Sequence, residues 1–159
     1  MSNRELYLTE KVIKFEEGLR LTPYYCTEGY PTIGYGEKIG TKNAPLLDIT
    51  WTEEEAHTKL KLRLQSGVSE LSKDKVVKPV WESLIEDEDR RVILLSMWYQ
   101  LGIVGLTGFD NFFKALTNKD YKKASLEMLD SLAARQTPKR WKRQSTAMER
   151  GDVLSTYKF

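Results

Sequence analysis

The chain has 159 residues, of which 40% are hydrophobic and 30% charged, with a formal net charge of +2. That length gives one domain with a real core, or two small lobes sharing one, and the near-neutral total singles out no polyanion partner. One cysteine excludes an internal disulfide, the first 18 residues lack the apolar run of a signal peptide, and no stretch approaches the length of an apolar membrane span. The expectation is a protein made and folded in the cytoplasm.

Leu8, Val12 and Phe15 fall at i, i+4 and i+7 and predict an amphipathic helix. Ser2 and Glu5 have the spacing of a capping box, with Thr9 as another possible start, and Gly18 marks the end. Glu17 therefore sits in the last turn, where the helix dipole is negative and a carboxylate is misplaced. From Leu21 to Ile39 the punctuation by Pro23, Gly29, Pro31, Gly34 and Gly36 between Tyr, Thr and Ile predicts short strands and tight turns. The strand content suits a two- or three-stranded sheet. Thr41 to Trp51 reads as a polar loop.

Thr52 and Glu55 repeat the capping-box spacing, and Leu60, Leu64, Val68 and Leu71 carry a long helix to about Lys73. Another helix opens at Lys78-Pro79, with Val80 and Leu84 inward. The acidic run Glu86 to Asp89 reads as a solvated helix start rather than an acidic docking site. Val92 to Leu101 is apolar on nearly all sides and predicts the buried centre of a helical lobe. Gly102, Gly105 and Gly108 mark turns after it. Phe109 to Leu116, Tyr121 to Leu132 and Pro138 to about Leu154 complete the helices. The fold class is α+β and mostly helical. The expected organisation is a small α/β lobe at about 9–52, a connecting helix at about 53–73 and an all-α lobe at about 76–159, on which the N-terminal residues pack. A cleft between lobes is the natural ligand site.

Taken singly, the residues that carry chemistry have bland alternatives. Glu17 is a surface glutamate or a general acid, with Glu16 beside it as a second candidate. Partial desolvation at the negative end of a helix favours its protonated form, and Arg20 and Arg140 oppose that if they are close. Cys26 is a small apolar filler or a thiolate, although Thr27, Glu28 and Gly29 around it do not look like core. Thr32 is a β-branched strand residue or a polar site group. The glycines at 34 and 36 fit neither a dinucleotide fingerprint nor a phosphate loop. His57 has no cysteine or second histidine to share a metal and reads as a surface residue. The basic segment Arg135 to Arg143 is a solvated helix face, a nucleic-acid contact, or a patch facing an anionic surface such as a bacterial wall.

Glu17, Cys26 and Thr32 together resemble the catalytic spacing of the phage-type lysozymes, the endolysins of glycoside hydrolase family 24, in which Glu is followed by Asp or Cys and then by Thr. The runs EGLR at 17–20 and TEGYPTIGYG at 27–36 are most like the T-even members. The likeness continues through Lys78-Pro79-Val80, Gln100-x-Gly102, Gly108-Phe109 and Gln136-Thr137-Pro138-x-Arg140, in order over nearly the whole chain. The resemblance implies a two-lobed lysozyme-like fold and a muramidase that cuts the β-1,4 bond between N-acetylmuramic acid and N-acetylglucosamine. It implies Glu17 as the acid, Cys26 acting from the other face of the sugar, Thr32 positioning, and Arg140 paired with the glutamate. Tyr99, Gln100 and Phe112 match positions lining the sugar cleft.

The same resemblance implies no cofactor and no metal. The partner is bacterial peptidoglycan, with no nucleic acid and no stable membrane insertion. The protein is expected to be a monomer that waits in the host cytoplasm until a holin-type membrane lesion lets it reach the wall from the periplasm. Many members carry Asp where this chain has Cys26, which leaves a glycan-binding module with weak catalysis as the rival. Position 37 is Glu where the family often has His, and Ala133 and Ala134 replace bulky aromatics. Activity is expected to rise with pH until Cys26 ionises and to fall as Glu17 loses its proton.

Overall fold

The computed structural model describes all of residues 1–159. The first helix, α1, runs Asn3–Glu17; Ser2 caps it by accepting from the Glu5 N–H, which settles the start in favour of Ser2 over Thr9. Gly18 ends it at φ 69°, a conformation open to glycine, and its N–H satisfies the Lys14 carbonyl. The chain then forms an antiparallel sheet of β1 (Arg20–Tyr25), β2 (Pro31–Gly34) and β3 (Glu37–Lys38), in that spatial order. Tyr24 pairs with Thr32, and Thr32 with Lys38. Pro23 is tolerated because β1 is an edge strand, and the ladder is irregular between Arg20 and Tyr24. All four residues of the central strand β2 are buried.

After a loop without regular structure, α2 (Glu53–Lys73) starts at a Thr52 cap that accepts from the Glu55 N–H. Its Ala56, Leu60, Leu64 and Leu71 form the buried stripe. Gly67 lies on the same face, where a Cβ would come within 2.6 Å of the Trp98 ring. Glycine there costs helix propensity, about 1 kcal/mol, and lets α2 pack on the tryptophan. α3 (Val77–Ser83) is entered through Asp74, whose carboxylate accepts from the N–H groups of Val76 and Val77.

The central helix, α4 (Glu88–Thr107), is buried on all sides from Arg91 to Tyr99, as its composition predicts. α1, α2 and α8 (Pro138–Arg150) pack on it, α5 (Asp110–Thr117) packs on α3 and α6 (Tyr121–Leu129), and α6, α7 (Leu132–Gln136) and α9 (Val153–Tyr157) pack on α8. The structure is α+β and mostly helical, with the small sheet near the N-terminus. No single helix is long and apolar enough to cross a membrane.

Three expectations are corrected. The acidic run is not wholly solvated: Asp89 is buried, takes Arg4 at 2.7 Å and accepts from the Val153 N–H at 2.7 Å, so it ties α1 and α9 to α4. Gly102 and Gly105 do not end the helix. Gly102 kinks it at φ 71° and Gly105 lies in the helical stretch beyond. The helix predicted over Tyr121 to Leu132 ends at Leu129 and is followed by a short helix the sequence did not predict, α7, and the last predicted helix is divided. Asp130 and Ser131 separate α6 from α7, with Ser131 capping the second, while Gly151 at φ 67° and the Asp152 cap separate α8 from α9.

Candidate active site

The end of α1, the sheet, α4 and the start of α8 surround a cavity of about 820 Å³. Glu17, Cys26, Thr32, Tyr99, Gln100 and Arg140 all line it. Phe112 does not. It is fully buried in the helical core, with its ring edge-on to Phe109 and Phe113, so the expected cleft contact is replaced by a packing role. His57 is half-exposed on α2, with Nε2 3.9 Å from a Glu10 oxygen. No group of three His, Cys, Asp or Glu side chains is placed to hold a metal ion.

Glu17 is held from two sides. Arg140 Nη1 contacts its Oε1 at 2.6 Å, and the glutamate side chain keeps 21% of its exposure. Oε2 rests against Gly36, where a Cβ would come within 2.6 Å of it. Gly36 has φ 76°, so glycine is required there by the turn as well as by the carboxylate. Arg20, the other expected neighbour of Glu17, instead lies over the Tyr24 ring at 4.5 Å.

Arg140 is itself fixed. It stands in the first turn of α8, 7% exposed, and Nη2 reaches the Ser96 carbonyl at 3.3 Å. The Ser96 hydroxyl donates to Gln144 Oε1 one turn further along α8. Glu16, the second candidate at the sequence level, has a different environment. Its side chain is 1% exposed, Arg143 grips both its oxygens at 2.6 and 3.2 Å, and Tyr157 Oη donates to it at 2.8 Å. Burial, the Glu16 charge and that hydrogen bond keep Tyr157 protonated. Glu16 thus ties α1 to α8 and α9. Arg143 and Tyr157 have no local sequence signal linking them to Glu16, because the pairing spans more than 120 residues.

Cys26 sits in a tight turn after β1. Its N–H donates to the Tyr30 carbonyl at 3.0 Å, Gly29 at φ 84° turns the chain, and the Tyr30 N–H points back at the sulfur at 3.4 Å. Cys26 is half-exposed rather than core. Burial pulls its thiol up, but the backbone N–H groups of Tyr30 and Glu28, the Thr32 hydroxyl and the Lys38 charge together outweigh burial and lower it. Thr32 is 2% exposed and gives its hydroxyl proton to the Tyr30 carbonyl at 2.8 Å, which turns its oxygen toward the same loop.

On the opposite wall, Tyr99 donates from Oη to the Tyr35 carbonyl at 2.5 Å. The Arg63 guanidinium lies over its ring at 4.4 Å, and Arg63 also lines the cavity. Burial pushes the Tyr99 hydroxyl far above its ordinary range, so it remains a donor. Gln100 accepts from Trp141 Nε1 at 3.1 Å and donates to Thr137 Oγ1 at 3.2 Å, which fixes the orientation of its amide.

The phage lysozyme family's sequence model matches residues 14–146. The chain belongs to the phage lysozyme family. It is therefore a lysozyme-type glycoside hydrolase. It is 31% identical over 167 residues to a probable T4-type lysozyme 2 of Dictyostelium discoideum, covering 92% of this chain and 96% of the relative. A probable T4-type lysozyme 1 of the same organism is 27% identical over 170 residues, with 92% and 96% covered. The pre-baseplate central spike protein Gp5 of Enterobacteria phage T4 is 29% identical over 165 residues; the match spans 91% of this chain but 28% of that protein. This lysozyme thus aligns over most of its length with nearly all of each Dictyostelium protein and with one portion of the longer spike protein.

Proposed function

We propose that this lysozyme is a muramidase that hydrolyses the β-1,4 bond between N-acetylmuramic acid and N-acetylglucosamine in bacterial peptidoglycan. The observation that carries the reading is the convergence of Glu17, Cys26, Thr32 and Arg140 on one cavity. Arg140 occupies Oε1 of Glu17, so Oε2, against Gly36, is the oxygen that carries the proton to the glycosidic oxygen. The lowered Cys26 thiol supplies a thiolate on the other side of the reacting sugar. As a base it takes a proton from the attacking water, whose oxygen bonds to the anomeric carbon as the glycosidic bond breaks. As a nucleophile it forms the bond to that carbon itself, and water later displaces it. Thr32 holds the turn that carries Cys26, through its bond to the Tyr30 carbonyl. Tyr99, Gln100 and Arg140 flank the sugars.

The same reading makes the protein a monomeric endolysin, kept in the host cytoplasm and reaching the wall through a phage-made membrane lesion. Nucleic acid plays no part in it. Clearing of chloroform-treated Gram-negative cells by the wild type, with loss of clearing in Glu17→Gln, is the expected result. Equal clearing by both proteins rejects Glu17 as the acid. The second reading, a glycan-binding module, is motivated by Cys26 standing where many members carry Asp, and absence of clearing by the wild type would favour it.

A further inference from the structure

Tyr24, Thr32 and Lys38 are cross-strand partners, one from each strand of the sheet. Residues directly opposite one another project on the same face, and all three line the catalytic cavity. Cys26, two residues beyond Tyr24, lines it with them. Glu37 precedes Lys38 and so takes the other face of the sheet, where it meets the charges of Arg63 and Lys59 on α2. The two-residue strand β3 thus delivers one side chain to the cavity, a lysine.

That lysine is held against the turn that carries Cys26. Its Nζ stands 4.2 Å from the centroid of the Tyr30 ring and 3.9 Å from Glu28 Oε2. Both residues belong to the turn, and the Tyr30 N–H points at the sulfur at 3.4 Å. The other cations lining the cavity have different places. Arg140 pairs with Glu17, Arg143 with Glu16, Arg63 lies on the Tyr99 ring, and Lys139 is in the first turn of α8. The remaining charged and titratable groups around the sulfur are Glu17 across the cavity, Arg20 over the Tyr24 ring, and Lys42, which borders the turn at Gly29. Burial first, and then the Glu17 and Cys26 charges, raise the Tyr24 phenol, so it stays neutral. An ammonium beside a thiol favours the thiolate, and unlike the backbone donors of the turn it can be removed by substitution.

We infer that Lys38 is a positioning residue for Cys26, whose ammonium, held over the turn by Tyr30 and Glu28, keeps the sulfur ionised. The inference rests on the reading of Cys26 as a thiolate that takes part in glycoside hydrolysis. The active enzyme needs that thiolate together with a protonated Glu17, so the fraction in the active form follows the ease with which the thiol ionises. A carboxyl in place of the thiol ionises below neutral pH without help, and Lys38 then contributes little.

Cys26 is the only cysteine, so the pH dependence of alkylation by iodoacetamide reports this thiol alone. The proteins compared are the wild type, Lys38→Met, Lys38→Arg and Lys42→Met, the last removing an exposed charge from the neighbouring loop. The midpoint of alkylation should rise by about half a pH unit or more in Lys38→Met. It should stay within about 0.2 unit of the wild type in Lys38→Arg and Lys42→Met. The second readout is muropeptide release at neutral pH. Lys38→Met should lower it about threefold in the wild-type background and by less than about 1.5-fold in Cys26→Asp. An unmoved midpoint in Lys38→Met, an equal rise in Lys42→Met or in Lys38→Arg, or the same loss of release in the Cys26→Asp background would overturn the inference. Melting temperatures within a few degrees of the wild type establish that the variants are folded. If the midpoint rises in Lys38→Met while release is unchanged, Lys38 holds the thiolate and the catalytic reading of Cys26 fails.

Discussion

The hydroxyl of Tyr99 on α4 donates to the backbone carbonyl of Tyr35, in the turn between β2 and β3. The next residue along that turn is Gly36, against which Glu17 Oε2 rests. One hydrogen bond from the helical part of the molecule therefore fixes the turn that seats the carboxylate. Tyr99→Phe keeps the ring and deletes the bond. Leaving the Tyr35 carbonyl buried and unpaired should cost about 1–3 kcal/mol of stability. We expect turnover to fall several-fold with little change in apparent substrate affinity, because the ring still lines the cleft. A melting curve and a kcat and KM pair on solubilised glycan decide it; a changed KM at constant kcat would mean that Tyr99 acts on the sugar and not on the turn.

Gly36 is the sharper probe of the same seat. An added Cβ would meet Glu17 Oε2 at 2.6 Å, and φ 76° is strained for any L side chain, by about 1–2 kcal/mol. Gly36→Ala should leave a folded protein with activity reduced by about a hundredfold, the scale on which small displacements of a reacting group act. Near-normal activity in a folded Gly36→Ala would show that the seat is not needed.

Arg140 has two duties, pairing with Glu17 and contacting Ser96 inside the protein. Arg140→Lys keeps the charge but loses the fork that serves both partners, whereas Arg140→Ala removes a buried guanidinium and leaves Glu17 without its partner. Breaking such a pair costs about 3–5 kcal/mol, so the alanine variant should melt well below the lysine variant. Glu16→Gln serves as a comparison. It should destabilise through Arg143 and Tyr157 yet keep catalysis, and loss of catalysis in a folded Glu16→Gln would reopen the choice between the two glutamates.

The pH dependence follows from Cys26. Its thiol is lowered from the ordinary value of 9.0, because the backbone donors, Thr32 and Lys38 outweigh burial. The active form needs a thiolate together with a protonated Glu17. A thiol is intrinsically a weaker acid than a carboxyl, so ionisation of Cys26 is expected to mark the alkaline limb of the profile. Cys26→Asp puts a carboxyl in that place, and the alkaline limb should move down by more than one pH unit. Cys26→Ser should lose most activity, since a hydroxyl does not ionise in this range. An alkaline limb that stays in place in Cys26→Asp would remove the thiol from the mechanism.

Legibility in the sequence followed the range of the interactions. The caps at Ser2 and Thr52, the stop at Gly18 and the buried run at Val92 are local signals, and the structure has α1, α2 and α4 where they point. The gathering of Glu17, Cys26 and Thr32 was legible through family spacing alone; nothing local distinguishes Glu17 from Glu16. Their difference lies in partners from the far end of the chain, Arg140 for one and Arg143 with Tyr157 for the other. Asp89 was misread for the same reason, since its partners are Arg4 and the Val153 N–H. Phe112 failed because resemblance carries a position and not its burial. Gly102 was read as a stop, but a glycine that can take φ 71° also lets a helix kink and resume.

The central claim is that Glu17 donates the proton that breaks the glycosidic bond. Its most direct test is the release of muropeptides with reducing N-acetylmuramic acid ends from purified sacculi by wild type and Glu17→Gln, each verified as folded by its melting curve. The account predicts such products from the wild type and a loss of at least about a hundredfold in Glu17→Gln. Wild-type levels of the same products from Glu17→Gln would contradict it.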